Sequence, residues 1–323
     1  LLIIFIIEMI HIVKSFSIIK STNKLINISS SIQSINSLTK LQLSSVTSSY
    51  KSSEQLNIAV SGSTSLSFDG DVLAIPFYKP TIPKDNTDKK LLAEEIKKLI
   101  PSGLSSEIKT LLSDIIDEGS FKADSQSKVV VRTYSKSIPN KYIALVGLGL
   151  NPKKEEGDYE VSTAVKIGKS LSTIAKDTNS KSIGVIVPTI ANSGLTQLFL
   201  GLHDQSYNDN RYKKTPEGGH EPFPLQSVSI LGVNEKIAKD IPLTYKLTEK
   251  ISSGVDFAKD LVGAPPNSAD PYVIASLAKD IAKDFKLDIE ILGKKECLEL
   301  QMGGYLGVQQ GSKYDPQFIH LTY

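Results

Sequence analysis

An α/β layered fold in two parts is the class this sequence predicts. Three observations predict it. From residue 54 to 242, β-branched runs alternate with segments of helical periodicity. An amphipathic segment, Leu243 to Val262, then stops at Gly263-Ala264-Pro265-Pro266-Asn267, which cannot continue a helix. Beyond that turn a helix pattern followed by a strand pattern begins again, as a second α/β domain would. The organisation read from the chain is a leader over 1–53, an α/β domain over 54–242, and a connecting helix with the start of another domain over 243–323.

The elements follow in order. Leu56 to Val60 and Val72 to Phe77 have strand composition and are separated by a Ser/Gly-rich turn. Lys89 to Leu112 reads as helix interrupted at Pro101-Ser102-Gly103. Lys128 to Tyr134 and Tyr142 to Val146 are β-branched runs. In Glu160 to Lys176, the residues Val161, Ala164, Val165, Ile167, Leu171, Ile174 and Ala175 recur at helical spacing. Ser182 to Val187 reads as a buried strand, Gly194 to Tyr212 as helix and Ser227 to Gly232 as strand. Such alternation implies a largely buried sheet. In the connecting segment Leu247, Ile251, Val255, Ala258 and Val262 fall on one stripe, with Lys, Asp and Ser elsewhere. Asp270 can cap the next helix, with Pro271 at its first position. Its stripe is Ile274, Leu277, Ala278, Ile281, Ala282 and Phe285; Leu287 to Leu292 then alternates as a strand.

Composition narrows the function classes. The 323 residues carry a formal charge of +2. Residues 1–53 hold five lysines and one acid, a net of +4, which leaves 2 − 4 = −2 on the remainder. A near-neutral body argues against nucleic acid as the main partner. The single cysteine, Cys297, excludes an intrachain disulfide and reads as a small, partly buried apolar residue of a short helix. The four histidines, His11, His203, His220 and His320, show no metal-ligand spacing. Leu1 to Ile7 is too short to span a membrane, where about 20 apolar residues are needed. From Met9 to Ser53 there are fourteen serines, lysines and no acid, the composition of an organelle transit peptide, here without arginine. A secretory signal or an unaddressed disordered leader are the alternatives. Gly147-Leu148-Gly149 follows a strand but lacks the third glycine and immediate helix of a dinucleotide fingerprint, so a tight turn off the strand is the preferred reading.

Several stretches resemble one family. Phe257 to Pro271 (FAKDLVGAPPNSADP) is similar to a DLVN-x-P-x-N-x-x-TP segment of the leucyl aminopeptidases, the cytosol-aminopeptidase family of dinuclear metallopeptidases, plant-type members especially. Lys294 to Ser312 is close to that family's Met-Gly-x-x-Leu-x-Val-x-x-Gly-Ser stretch, and Pro316 to Tyr323 also resembles it. In the first domain, Leu200 to Lys214 (LGLHDQSYNDNRYKK) is similar to the family's glycine-led helix ending in Asn/Asp-Arg-Tyr-Lys. Gly263 and Asp270 depart from the family's Asn and Thr. The resemblance implies a macro-domain-like first domain, a connecting helix and the opening of an α/β/α catalytic domain. It implies metal-dependent removal of amino-terminal residues from peptides, two divalent ions (Zn or Mn) and a homo-hexamer; the leader, read as a transit peptide, implies plastid or mitochondrion, and otherwise the cytoplasm is expected.

The family's metal and catalytic motifs, Lys-Gly-x-x-Phe-Asp-x-Gly-Gly and Asn-Thr-Asp-Ala-Glu-Gly-Arg, are found nowhere in this sequence. No catalytic, cofactor-binding or metal residue is therefore assigned. Asp256, Asp260, Asp270, Asp284, Asp288, Glu290, Glu296 and Glu299 are read as helix-face or cap residues, because an oxygen-ligand site needs several convergent carboxylates. Gln317 to Tyr323 has strand composition with no turn or polar tail after it, and the first residue is Leu1 rather than Met. A sequence cut short before its catalytic motifs, and inactive alone, is the expectation. The competing expectation is a non-catalytic macro-like module for ligand binding or assembly.

Overall fold

The computed structural model describes residues 58–81, 89–150, 159–187, 192–214 and 222–323. The leader and Asn151 to Glu156 lie outside them, as do His11 and His220. Two compact units divide the described chain, the first ending at Ala264 and the second running from Pro265 to Tyr323. The architecture is mixed α/β in both.

In the first unit the elements are β1 (Ala59–Ser63), β2 (Val72–Lys79), α1 (Lys89–Lys97), α2 (Ser106–Asp117), β3 (Lys128–Arg132), β4 (Tyr142–Leu150), α3 (Tyr159–Thr178), β5 (Ser182–Ile186), α4 (Asn192–Ser206), β6 (Ser227–Leu231) and α5 (Glu235–Gly263). Six strands form one sheet in the order β1-β6-β5-β2-β4-β3. All neighbours are parallel except β3, which runs antiparallel to β4 from Lys128↔Val146 to Arg132↔Tyr142. Helices cover both faces, so the central strands are apolar throughout rather than alternating. Along β2, Val72 and Ala74 face a core shared with Leu171 and Ile174 of α3 and Leu198 and Phe199 of α4. Leu73, Ile75 and Phe77 face the other core, with Ile96 of α1 and Leu112 and Ile116 of α2. Each fully buried Leu, Ile or Phe side chain contributes roughly 1.5–3 kcal/mol.

Two differences from the sequence reading have physical causes. Gly147 and Gly149 lie inside β4 rather than after it. A Cβ at Gly147 would fall on the backbone of Asp124, and Gly149 has φ +77°, so these glycines admit the 123–127 segment against the strand. The connecting helix starts eight residues before Leu243, at Glu235, where the Asn234 side chain accepts the Ile237 N–H at 2.9 Å. Pro242 lies inside α5 rather than before it. Its ring and missing N–H would ordinarily end a helix, but the helix passes through. The side of α5 that is buried carries Ile241, Tyr245, Thr248, Ser252 and Asp260. The apolar stripe flanks that side and stays largely exposed: Leu247, Ile251, Val255 and Val262 are exposed by 42%, 43%, 38% and 58%.

The second unit comprises α6 (Pro271–Phe285), β7 (Asp288–Leu292), α7 (Lys294–Glu299), α8 (Gly303–Gln309) and β8 (Phe318–Thr322). Asp270 caps α6, accepting the Val273 N–H at 2.9 Å, with Pro271 at the start. Lys286 ends it in the left-handed conformation, φ 54°, which turns the chain into β7. β7 and β8 pair antiparallel from Asp288↔Thr322 to Leu292↔Phe318. Cys297 is fully buried in α7, and burial pushes its thiol up.

The closest approach in the first unit is the crossing of α3 and α4. A Cβ at Gly168 would overlap the Leu198 carbonyl oxygen, and one at Gly201 the Val165 carbonyl oxygen. Alanine improves helix propensity by about 1 kcal/mol, but here the obstruction is backbone and cannot swing aside. Gly201→Ala is therefore expected to destabilise by about 1–3 kcal/mol, the range for overpacking. Gly304→Ala, whose methyl meets open space, should be neutral or stabilising. Urea unfolding followed by circular dichroism compares the two.

Candidate functional site

The glycine crossing brings the side chains beside it into one polar cluster. Lys169 follows Gly168 on α3, and Asp204 lies three residues after Gly201 on α4. Asp204 is bridged by two ammonium groups, Lys169 Nζ on Oδ2 and Lys259 Nζ on Oδ1, each at 2.8 Å. Burial alone would raise its carboxyl, but those two lysine hydrogen bonds hold it below the ordinary range. Lys259 comes from α5, one turn after Asp256 and 3.7 Å from it. It also sits 4.7 Å above the Tyr207 ring, within cation–π range.

Asp256 is in the opposite condition. Desolvation pushes it up to about 6, with like charges at Asp260 and Asp204 adding to the rise and Lys259 offsetting part of it. His203, 5% exposed, is driven down to about 4 by burial and stands neutral, stacked on Tyr245 with ring centroids 5.5 Å apart. Its Nε2, and Ser252 Oγ from α5, are buried without a hydrogen-bond partner among the described residues. These groups line a cleft of about 230 Å³ between α3, α4 and α5, walled on the apolar side by Val165, Leu200 and Val255.

Beside the cleft, the segment after α4 clamps the end of α5. Arg211 forms a fork on Asp209, Nε to Oδ1 at 3.0 Å and Nη2 to Oδ2 at 2.8 Å. Its Nη2 also donates to the Asp260 carbonyl oxygen at 2.6 Å, in the last turn of α5. Tyr207 Oη donates to Asp260 Oδ1 at 2.9 Å. The Arg211 hydrogen bond holds Asp209 below the usual carboxylate range. A Cβ at Gly263 would stand 3.0 Å from Asp209 Oδ2, so the helix end rests on this clamp. The role of Leu200 to Lys214 is thus to seat the connecting helix.

The acids singled out from the sequence are dispersed. Asp256 and Asp260 belong to the cluster just described, and Asp270 caps α6. Glu296 accepts the Gly293 N–H at 3.0 Å at the start of α7. Glu299 pairs with Lys295, and Glu290 lies 3.9 Å from His320 across the β7–β8 pair. Asp288 opens β7, and Asp284 Oδ2 is buried without a hydrogen-bond partner among the described residues. Among the described residues no three His, Cys, Asp or Glu side chains are grouped to hold a metal ion. The donors present therefore do not fit a dinuclear metal centre. No helix among the described residues is long and apolar enough to cross a membrane. The cluster of Lys169, Asp204, Asp256 and Lys259 was not anticipated. Its members sit on three helices, and the Gly168-Lys169 pair and the Gly201 helix were the local signals that could have pointed to it.

Comparison with known proteins is consistent at both ends of the chain. The family described as "Cytosol aminopeptidase family, N-terminal domain" matches residues 90–216. The "Cytosol aminopeptidase family, catalytic domain" matches residues 256–323. A probable cytosol aminopeptidase of Cyanothece sp. is 30% identical over 83% of this chain and 50% of its own length. One from Trichodesmium erythraeum is 34% identical over 83% of this chain and 51% of its own. A solved tomato leucine aminopeptidase mutant superposes with a TM-score of 0.62 at 26% identity, over 83% of this chain and 51% of that one. The chain spans about half the length of the relatives it matches.

The two perturbed groups give opposite pH signatures. Asp256 has its folded value raised from about 3.8 to about 6, so its contribution to stability is present below pH ~3.8 and lost as pH rises through 6. His203 has its folded value depressed from 6.5 to about 4, so its contribution is present above pH 6.5 and lost as pH falls through 4. Asp256→Asn should therefore raise the melting temperature relative to the parent at pH 7.5 but not at pH 3.5. His203→Phe should gain on the parent as pH falls from 6.5 to 4. Thermal melts across this range measure both.

Proposed function

The chain belongs to the cytosol aminopeptidase family, and from that premise we propose that it serves a metal-dependent aminopeptidase of the leucyl, plant-like type, removing amino-terminal residues from peptides. The observation that carries this reading is the order of the two family matches. An N-terminal-domain match precedes a catalytic-domain match, and helix α5 joins the regions they cover. In this reading residues 54–242 form a macro-domain-like module, and 243–323 provide the connecting helix and the opening of the catalytic domain. The clamp formed by Asp209, Arg211 and Asp260 supports it, because it fixes the end of the helix that leads into the catalytic region. Two divalent ions, Zn or Mn, would be required by the whole enzyme; no step is assigned to them, since the donors among the described residues do not converge. A homo-hexamer and delivery to plastid or mitochondrion, or residence in the cytoplasm, complete the proposal.

The non-catalytic alternative, a ligand-binding or assembly module, is favoured by one feature: the cleft lies wholly in the first unit. Activity separates the two. A polypeptide that extends this chain to the length of its relatives is expected to cleave leucyl p-nitroanilide with Mn²⁺ or Zn²⁺ present, and to stop on chelation. The 323-residue chain alone is expected to show no turnover above the blank. Chelator-sensitive turnover by the 323-residue chain would contradict the assignment of no catalytic residues here, and an inert extended polypeptide would favour the non-catalytic module.

A further inference from the structure

We propose that the cleft between α3, α4 and α5 is a binding site for a free α-amino acid with an apolar side chain. The cleft is lined by two cations, Lys169 and Lys259, by two carboxyl groups, Asp204 and Asp256, and by the apolar side chains of Val165, Leu200 and Val255.

Charge decides the ligand class. Asp204 is already matched, with a lysine ammonium on each oxygen. Asp256 is matched more weakly. It shares Lys259 with Asp204 at the longer distance of 3.7 Å, Asp204 and Asp260 repel it, and desolvation holds it near the point of protonation. A ligand ammonium beside Asp256 would supply a closer cation than Lys259. Each lysine keeps donors to spare for a ligand carboxylate, since an ammonium has three N–H groups. A simple carboxylate would face two aspartates, and a simple amine two lysines. A zwitterion meets both signs, and its apolar side chain meets the valine and leucine wall. The volume, about 230 Å³, lies below the roughly 300–1,000 Å³ of pockets for drug-sized ligands, which suits a single amino acid. A second observation points the same way. His203 and Ser252, 5% and 4% exposed, line this cleft, with Nε2 and Oγ unpartnered among the described residues. Buried polar atoms of that kind ordinarily have partners.

Isothermal titration of L-leucine into the 323-residue chain tests this, with isovalerate and isoamylamine as analogues lacking the ammonium and the carboxylate. Saturable one-to-one binding of leucine at pH 7.5 is expected, with both analogues at least about tenfold weaker, the effect of one lost charge contact. Asp256→Asn should weaken leucine by about tenfold or more. Acidification from pH 7.5 to 5 should do the same in the parent, as Asp256 protonates among Lys259, Asp260, Asp204, Lys169 and His203. Val255→Trp, on an exposed face of α5, should block the cleft without disturbing the charges. Methyl NMR shifts on leucine addition should centre on Val165, Leu200 and Val255. No saturable binding, an isovalerate or isoamylamine affinity equal to that of leucine, undiminished affinity in folded Asp256→Asn or Val255→Trp, or shifts confined to other methyls would each overturn the proposal. Binding is read without hydrolysis, so the outcome is distinct from that of the aminopeptidase reading.

Discussion

The contact of α3 with α4 at Gly168 and Gly201 is the constraint on which the described site depends. With no Cβ at either position, each helix backbone lies against the other. That approach puts Lys169 and Asp204 within 2.8 Å of each other and leaves room for α5 to add Lys259 from the third side. Beyond Ile241 and Tyr245, which enter the core, the face α5 turns inward is correspondingly small and polar, with Thr248, Ser252 and Asp260 buried, while Leu247, Ile251 and Val262 remain exposed. An ordinary leucine-rich contact would hold the helices farther apart and would not enclose a charge cluster.

Enclosure explains why neighbouring groups behave differently. Burial raises both carboxyls, that of Asp204, whose side chain is still 38% exposed, and that of Asp256, yet the first is held low by two lysines while the second, with one lysine at 3.7 Å and two like charges, is pushed up. His203 lies against the same cleft, faces no carboxylate partner and loses its proton. The two shifts pull stability in opposite directions over the same interval of pH. Removal from water is the common cause, and the partner available to each group sets the sign. Arg211 supplies the complementary element, fixing the carboxyl end of α5 through Asp209 and the Asp260 carbonyl.

Much of the sheet was legible in the sequence because strands buried on both faces have continuous apolar runs, as in Val72–Lys79 and Tyr142–Leu150. The cap at Asp270-Pro271 was equally legible, since both residues have a local physical role there. The start of α5 was hidden by Pro242, which reads as a boundary when only neighbours in sequence are weighed. The orientation of α5 was hidden too, because the stripe of Leu247, Ile251 and Val255 marks an apolar face without saying what it meets. The glycine pair at 147 and 149 was ambiguous for a similar reason: its use depends on a segment 20 residues earlier packing across it. The cleft escaped entirely, since Lys169, Asp204 and Asp256 come from three helices and share no period. The family resemblance was legible in segments that the structure shows to be caps, clamps and turns.

The most direct measurement of the central claim is a carboxyl NMR titration of Asp256 in the parent chain and in Gly201→Ala. If the close crossing of α3 and α4 creates the enclosed cluster, Asp256 titrates near 6 in the parent and falls toward the ordinary aspartate value, about 3.9, when the added methyl parts the helices and admits water. An ordinary value in the parent, or the same raised value in both folded proteins, would contradict it.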